Sequence, residues 1–178
     1  MVLAGGPGSG KTTIINHLKA QGFHCFEEIS RAFIQMGKEK GKENFFAEDP
    51  LAFSRFLWEG RKKQYKQALE VIPATNKEEL LFFDRGLADV TAYLRHSDSP
   101  ILQWENTLKE YPYDHVFLVA PEASIYHQDE SRMESFEEAM SLHAAVKKNY
   151  EELGPVIDVP FLSPEERCAF ILKHCNEG

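Results

Sequence analysis

Eight residues near the start of the chain, Gly5-Gly-Pro-Gly-Ser-Gly-Lys-Thr12, follow the spacing G-x-x-x-x-G-K-[ST]. The order suits a phosphate chain. Glycines let successive backbone N–H groups turn toward phosphate oxygens with no Cβ in the way. Lys11 adds a compact positive charge that reaches the β- and γ-phosphates. The Thr12 hydroxyl can bind Mg²⁺. Gly6, Pro7, Gly8, Ser9, Gly10, Lys11, Thr12 and Thr13 are therefore the expected nucleotide-binding residues, with ATP and Mg²⁺ as ligands.

Other side chains fit the same chemistry. Asp84 closes the apolar run Leu80-Leu-Phe-Phe83, where a second Mg²⁺ anchor is expected beside Thr12. Arg85, next to it, is placed to contact a phosphoryl group or a substrate. Glu28 and Arg31 are three residues apart at the end of the second strand, so they share a face. A carboxylate there can take the proton of a substrate hydroxyl; a plain helical ion pair is the competing reading. Arg132 lies in the polar stretch before a capped helix and can neutralise charge on a transferring phosphoryl group. An exposed loop arginine is the alternative. Lys11, Glu28, Arg31, Asp84, Arg85 and Arg132 are the expected catalytic residues.

The elements that must position these groups are legible. Val2-Leu3-Ala4 reads as a buried strand, short because only four residues precede Gly5, and a few more natural residues upstream are an expectation. Ile14, Ile15, Leu18 and Ala20 follow at helical spacing, with Gly22 as the stop. Phe23–Phe26, Leu80–Phe83, His115–Ala120 and Val156–Val159 read as further strands. Asp49-Pro50 opens a helix to about Val71. Leu87, Val90 and Leu94 mark another, and Ile101–Glu110 a short amphipathic one. Ser135-Phe-Glu-Glu138 and Ser163-Pro-Glu-Glu166 open the last two helices as capping boxes. Strands alternating with helices predict an α/β fold with a five-stranded parallel sheet covered on both faces. One domain spanning 1–178 is expected. Residues 31–79 exceed a plain crossover and are expected to hold the substrate, and 123–135 to form a lid.

Composition narrows the class. A net charge of −8 lacks the positive surface that nonspecific nucleic-acid binding draws on. The stretch Arg61-Lys62-Lys63 with Lys66 reads better as a solvated helix face than as a nucleic-acid site. No run of eighteen apolar residues and no leader are visible, so no membrane span is expected. Cys25, Cys168 and Cys175 form no C-x-x-C and read as reduced thiols of a cytoplasmic protein. The seven histidines show no zinc spacing. A guanine-specific switch wants N-K-x-D after the fourth strand; Asn76-Lys77-Glu78-Glu79 ends in Glu and precedes the third. Motor-type ATPases commonly place Glu after the Asp84 position, and here stands Arg85.

Taken in order, G-G-P-G-S-G-K-T, E-x-x-R from Glu28 to Arg31, D-P-x-x-F from Asp49 to Phe53, D-R-G-x-x-D from Asp84 to Asp89, and D-x-x-R from Asp129 to Arg132 resemble a known family. It is the family of small AAA-like predicted ATPases. That family is related to the kinase domain of nicotinamide riboside kinases and, more distantly, to deoxynucleoside kinases. The resemblance runs from Gly5 to about Leu172. It implies a three-layer P-loop NTPase sandwich with strand order 2-3-1-4-5, ATP with Mg²⁺, and a helical lid. It implies that Glu28 falls where deoxynucleoside kinases keep their base. Those enzymes carry an acidic-Arg-Ser motif after the third strand, and Asp84-Arg85-Gly86 departs at its third residue. Arg61 and Gln64 are weaker substrate-contact candidates, for which a solvated face is the better reading. Two functions stay open: phosphoryl transfer to a small-molecule hydroxyl, or an ATPase or nucleotide-gated binding module.

Overall fold

The computed structural model describes residues 1–30, 50–71, 79–97, 99, 104–127 and 134–176. Five strands, β1 (Val2–Ala4), β2 (His24–Phe26), β3 (Leu81–Asp84), β4 (Val116–Val119) and β5 (Ile157–Val159), form one sheet. Their order is β2-β3-β1-β4-β5, and every pairing is parallel. β1 is the middle strand: Val2 pairs with Phe83 on one side and Val116 on the other.

Side chains alternate between two cores, as the period of two in a strand requires. Val2, Ala4, Leu81, Phe83 and Leu118 point to one face. There they meet α2 (Pro50–Val71), α3 (Leu87–His96) and α5 (Phe136–Glu151) through Leu57, Trp58, Val90, Leu94 and Val146. Leu3, Phe82, Phe117 and Val119 point to the other face. That face is covered by α1 (Lys11–Ala20) and α6 (Pro164–Asn176), through Ile14, Ile15, Leu18, Cys168 and Ile171. Both faces are covered by helices, which is why the strands read as continuous apolar runs.

The capping boxes form as expected. Ser135 Oγ accepts from the Glu138 N–H at 3.2 Å, and Ser163 Oγ from the Glu166 N–H at 3.3 Å. The expected helix over 101–110 is broken instead. Residues 101–103 lie outside the described residues; α4 covers Trp104–Thr107, and Leu108–Glu110 tighten into a 3₁₀ turn. Trp104 stacks on Trp58 of α2 at 4.9 Å between ring centroids, so this segment follows its anchor rather than its own periodicity. Leu69 and Phe56 of α2 are exposed, at 53% and 40%. Asp49, the expected cap of α2, lies outside the described residues, as do 31–48 and 128–133 of the expected substrate excursion and lid. Among the described residues no helix is long and apolar enough to cross a membrane, and no cluster of three or more metal-ligating side chains occurs. The three cysteines are free.

Candidate active site

Parallel pairing puts the carboxyl ends of β2, β3 and β1 side by side, so whatever follows each strand converges. β1 runs into the P-loop, which ends in Gly10 as the left-handed N-cap of α1. Gly8 has φ +72°, and a Cβ there would lie 2.4 Å from the Tyr126 ring. Neither the backbone nor the space admits another residue. The Tyr126 hydroxyl donates to the Glu134 carbonyl at 2.8 Å, so the two flanks of the expected lid are tied together against the loop.

Lys11 is buried, and its ammonium donates to the Gly6 carbonyl at 2.6 Å and to Ser9 Oγ at 2.7 Å. Burial, and then the Arg85 guanidinium, push its pKa down to about 7, against the pull of Asp84, Asp89 and Glu28. His143 of α5 closes the loop from behind, accepting the Gly6 N–H on Nδ1 at 3.4 Å. Burial and then the charge of Lys11 lower its pKa, which keeps that nitrogen an acceptor. Arg167 of α6 donates to the Ser9 carbonyl at 3.0 Å. Pro7 is half-buried, and Thr13 stands exposed on α1.

Thr12 Oγ1 donates to Asp84 Oδ2 at 2.9 Å. Asp84 is 3% exposed, and burial followed by the Glu28 charge raises its pKa. An enclosed carboxylate beside a hydroxyl is a pair of hard oxygen donors. It fits a Mg²⁺ ion that keeps its other positions for water and phosphate oxygens.

Glu28 follows β2, and its side chain is 8% exposed. Arg85 Nε contacts its Oε2, Arg61 Nη2 lies 3.4 Å from Oε1, and the Ser30 N–H donates to Oε1 at 3.0 Å. Burial works to raise its pKa, but the two guanidiniums and the Ser30 N–H outweigh it and hold Glu28 at about 2. Arg85 also donates to the Gly5 carbonyl at 2.9 Å. One guanidinium thus joins the P-loop to Glu28. It does so from a backbone at φ +73°, a conformation that L residues adopt at a cost of about 1 kcal/mol.

Arg61 corrects the sequence reading. It is 4% exposed rather than solvated, and its Nη1 donates to the Gly86 carbonyl at 2.8 Å. Phe53, Leu57 and Tyr65 share its i±4 row, so Arg61 sits on the apolar stripe of α2 where that helix crosses the sheet edge. That row was the signal. Gln64 is likewise engaged, donating to the Glu27 carbonyl at 2.8 Å. Lys63 and Lys66 are exposed as expected. Arg31 and Arg132 lie outside the described residues.

The sequence profile of the AAA domain matches residues 1–167. The chain belongs to the AAA domain family. Among curated proteins none matches it. Similar solved structures include deoxyadenosine kinase from M. mycoides with the products dCMP and a flexible dCDP bound. It is 17% identical with a TM-score of 0.67, over 99% of this chain and 98% of that one. The same enzyme with bound dATP is 18% identical with a TM-score of 0.70, over 98% and 97%. At that identity the likeness is one of fold. This AAA-domain chain therefore has the P-loop NTPase α/β fold, with the strand order that the resemblance implied.

The departure at the third residue of Asp84-Arg85-Gly86 has a steric reason in this AAA-domain chain. A Cβ on Gly86 would lie 2.4 Å from the Tyr150 hydroxyl and 2.9 Å from that of Tyr113. Tyr150 is 2% exposed and donates to Asp89 Oδ2 at 2.8 Å, so it has no room to retreat. Gly86→Ala should cost about 1–3 kcal/mol of stability by overpacking. The loss should shrink in a Tyr150→Phe background, and denaturant titration of both pairs reads it. Sequence reasoning gave no role to Asp89, Tyr150 or His143. All three lie on helical stripes otherwise filled by apolar residues, at Ala88, Ala92 and at Ala139, Leu142, Val146.

Proposed function

We propose that this chain is an ATP- and Mg²⁺-dependent kinase that phosphorylates a hydroxyl of a small molecule of the nucleoside class. The P-loop and Lys11 hold the triphosphate. Thr12 and Asp84 hold Mg²⁺, which when bound screens charge on the phosphate oxygens. The acceptor oxygen bonds to the γ-phosphorus, the bond to the β,γ-bridging oxygen breaks, ADP departs, and the hydroxyl proton passes to Glu28. Arg85, with Arg31 and Arg132, balances the phosphoryl charge. The observation that carries this reading is the single Arg85 guanidinium reaching from the Gly5 carbonyl to the buried Glu28 carboxylate. The likeness in fold to a deoxyadenosine kinase supports the substrate class. No nucleic-acid partner is proposed, and the free thiols suit a reducing, cytoplasmic setting. ADP release that rises when nucleosides or deoxynucleosides are added would support transfer. Release indifferent to every acceptor would contradict it.

A second reading is favoured by the two arginines on Glu28. A carboxylate held at about 2 is a weak base, as suits an ATPase or nucleotide-gated module in which Glu28 only fixes arginines.

Both readings need ATP on Lys11, whose protein neighbours alone leave it at about 7. Triphosphate charge raises that value, so binding above pH 7 includes protonation of Lys11. Affinity should fall by about tenfold per pH unit between roughly pH 7.5 and 9. Calorimetry in buffers of different ionisation heat should show proton uptake near pH 8 and little near pH 6.

A further inference from the structure

Asp89 lies in the first turn of α3, three residues after its N-cap Gly86, and is 1% exposed. Its two oxygens do different things. Oδ1 faces Arg85 Nη1 at 3.3 Å. Oδ2 accepts from the Gly86 N–H at 2.9 Å and from the Tyr150 hydroxyl at 2.8 Å. We infer that Asp89 and Tyr150 are positioning residues that fix the Arg85 guanidinium between the P-loop and Glu28, and that they govern turnover rather than nucleotide affinity.

Arg85 is held at both ends by one carboxylate. Its side chain meets Oδ1, and the peptide that leaves it at φ +73° is fixed through the Gly86 N–H on Oδ2. Without Asp89 the guanidinium keeps its charge and its contacts to Glu28 and the Gly5 carbonyl. It loses the partner that sets its direction. A simple helix-capping role would need only the Gly86 contact. Tyr150 in turn sets Asp89, because its hydroxyl reaches the same Oδ2 from α5. The adjacent Asn149 donates to the Ala88 carbonyl and to Thr91 Oγ1, both at 2.7 Å, so two successive residues of α5 clamp α3 at this point. The triphosphate, by contrast, would be gripped by P-loop N–H groups and Lys11; neither Asp89 nor Tyr150 shares a hydrogen bond with the Lys11 ammonium, which Asp89 influences only through its charge and after Asp84. Misplacing a charge-balancing group by about an ångström is worth up to about 10²-fold in rate.

The inference rests on the reading that Arg85 borders the transferring phosphoryl group. The test is steady-state MgATP turnover by the full chain, with and without deoxyadenosine, for Asp89→Asn, Tyr150→Phe, Arg85→Lys and the two double variants that combine Arg85→Lys with each. Asp89→Asn should lower kcat by about 10–100-fold with the KM for MgATP within about twofold. Tyr150→Phe, which removes one oxygen, should lower it by about 3–10-fold. Each loss should nearly vanish in the Arg85→Lys background, since the pair then has no guanidinium to direct. Equal losses in both backgrounds, an effect confined to KM, or an unchanged kcat would overturn the inference. Should Asp89→Asn fail to fold, Tyr150→Phe carries the same comparison alone. Hydrolysis without acceptor suffices for the comparison, so failure of the transfer reading leaves it intact. Absence of any MgATP turnover by the unmodified protein would overturn both.

Discussion

Replacing Glu28 by glutamine is expected to lower turnover by about 10²–10⁴-fold while nucleotide binding survives. The substitution keeps the shape of the side chain and one acceptor oxygen for Arg85, Arg61 or the Ser30 N–H. It removes the capacity to accept a proton. The P-loop contacts of Lys11 do not involve Glu28, so binding of a fluorescent ATP analogue should persist. The same variant has a signature in acid. Glu28 is depressed from 4.5 to about 2, so its ion pairs contribute stability that is fully present above 4.5. That contribution is lost as the pH falls from 4.5 toward 2, because the unfolded state takes up its proton near 4.5 while the pairing keeps the folded state from doing so until about 2. Urea titrations at about pH 7 and pH 3 should show a steep acid loss in the unmodified protein and a shallower one in Glu28→Gln. Unchanged turnover would remove Glu28 from the chemistry, and an unchanged acid slope would remove its ion pairs from the stability.

Arg61→Met is expected to destabilise the fold by about 3 kcal/mol. Methionine fills much the same volume on the apolar stripe of α2, so the loss reports the charge and hydrogen bonds rather than a cavity. Arg61 is 4% exposed; its removal takes one of two guanidiniums from Glu28 and the side-chain donor from the Gly86 carbonyl, which keeps only the Asp89 N–H at 3.2 Å among the described residues. Breaking a buried pair on one side costs more than the pair is worth, because the remaining charge stays enclosed. The Nε of Arg61 has no partner among the described residues, which tempers the contribution of the intact arginine. A solvated arginine would cost under about 0.5 kcal/mol on replacement. Equilibrium denaturation near pH 7 separates the two values. A change of that smaller size would return Arg61 to the helix surface.

The sheet and the P-loop were legible because their signals are local. Val2-Leu3-Ala4 is apolar throughout, as a central strand covered on both faces must be, and the glycines of the loop are dictated by backbone geometry. The two Ser-x-x-Glu boxes marked their helices for the same reason. Glu28, Asp84 and Arg85 were legible as strand-end residues, since a parallel sheet brings such ends together. What escaped was set by helix packing. Arg61 sits in a run of basic residues, and only its place on the i±4 row with Leu57 and Tyr65 separates it from Lys62 and Lys63. Asp89 and Tyr150 meet from α3 and α5, sixty-one residues apart in sequence, and no local pattern joins them. Trp104 follows Trp58 for a similar reason, through a stacking contact between segments that are distant in sequence.

The central claim is transfer of a phosphoryl group to a carbon-bound hydroxyl. It is tested most directly by following the γ-phosphate of labelled ATP in the presence of Mg²⁺ and a panel of nucleosides, deoxynucleosides and nicotinamide riboside. The account predicts that label appears on at least one of these acceptors, in an amount matching the ADP formed, and that Glu28→Gln removes it. Label recovered only as inorganic phosphate with every acceptor, at a rate that none of them changes, would contradict it.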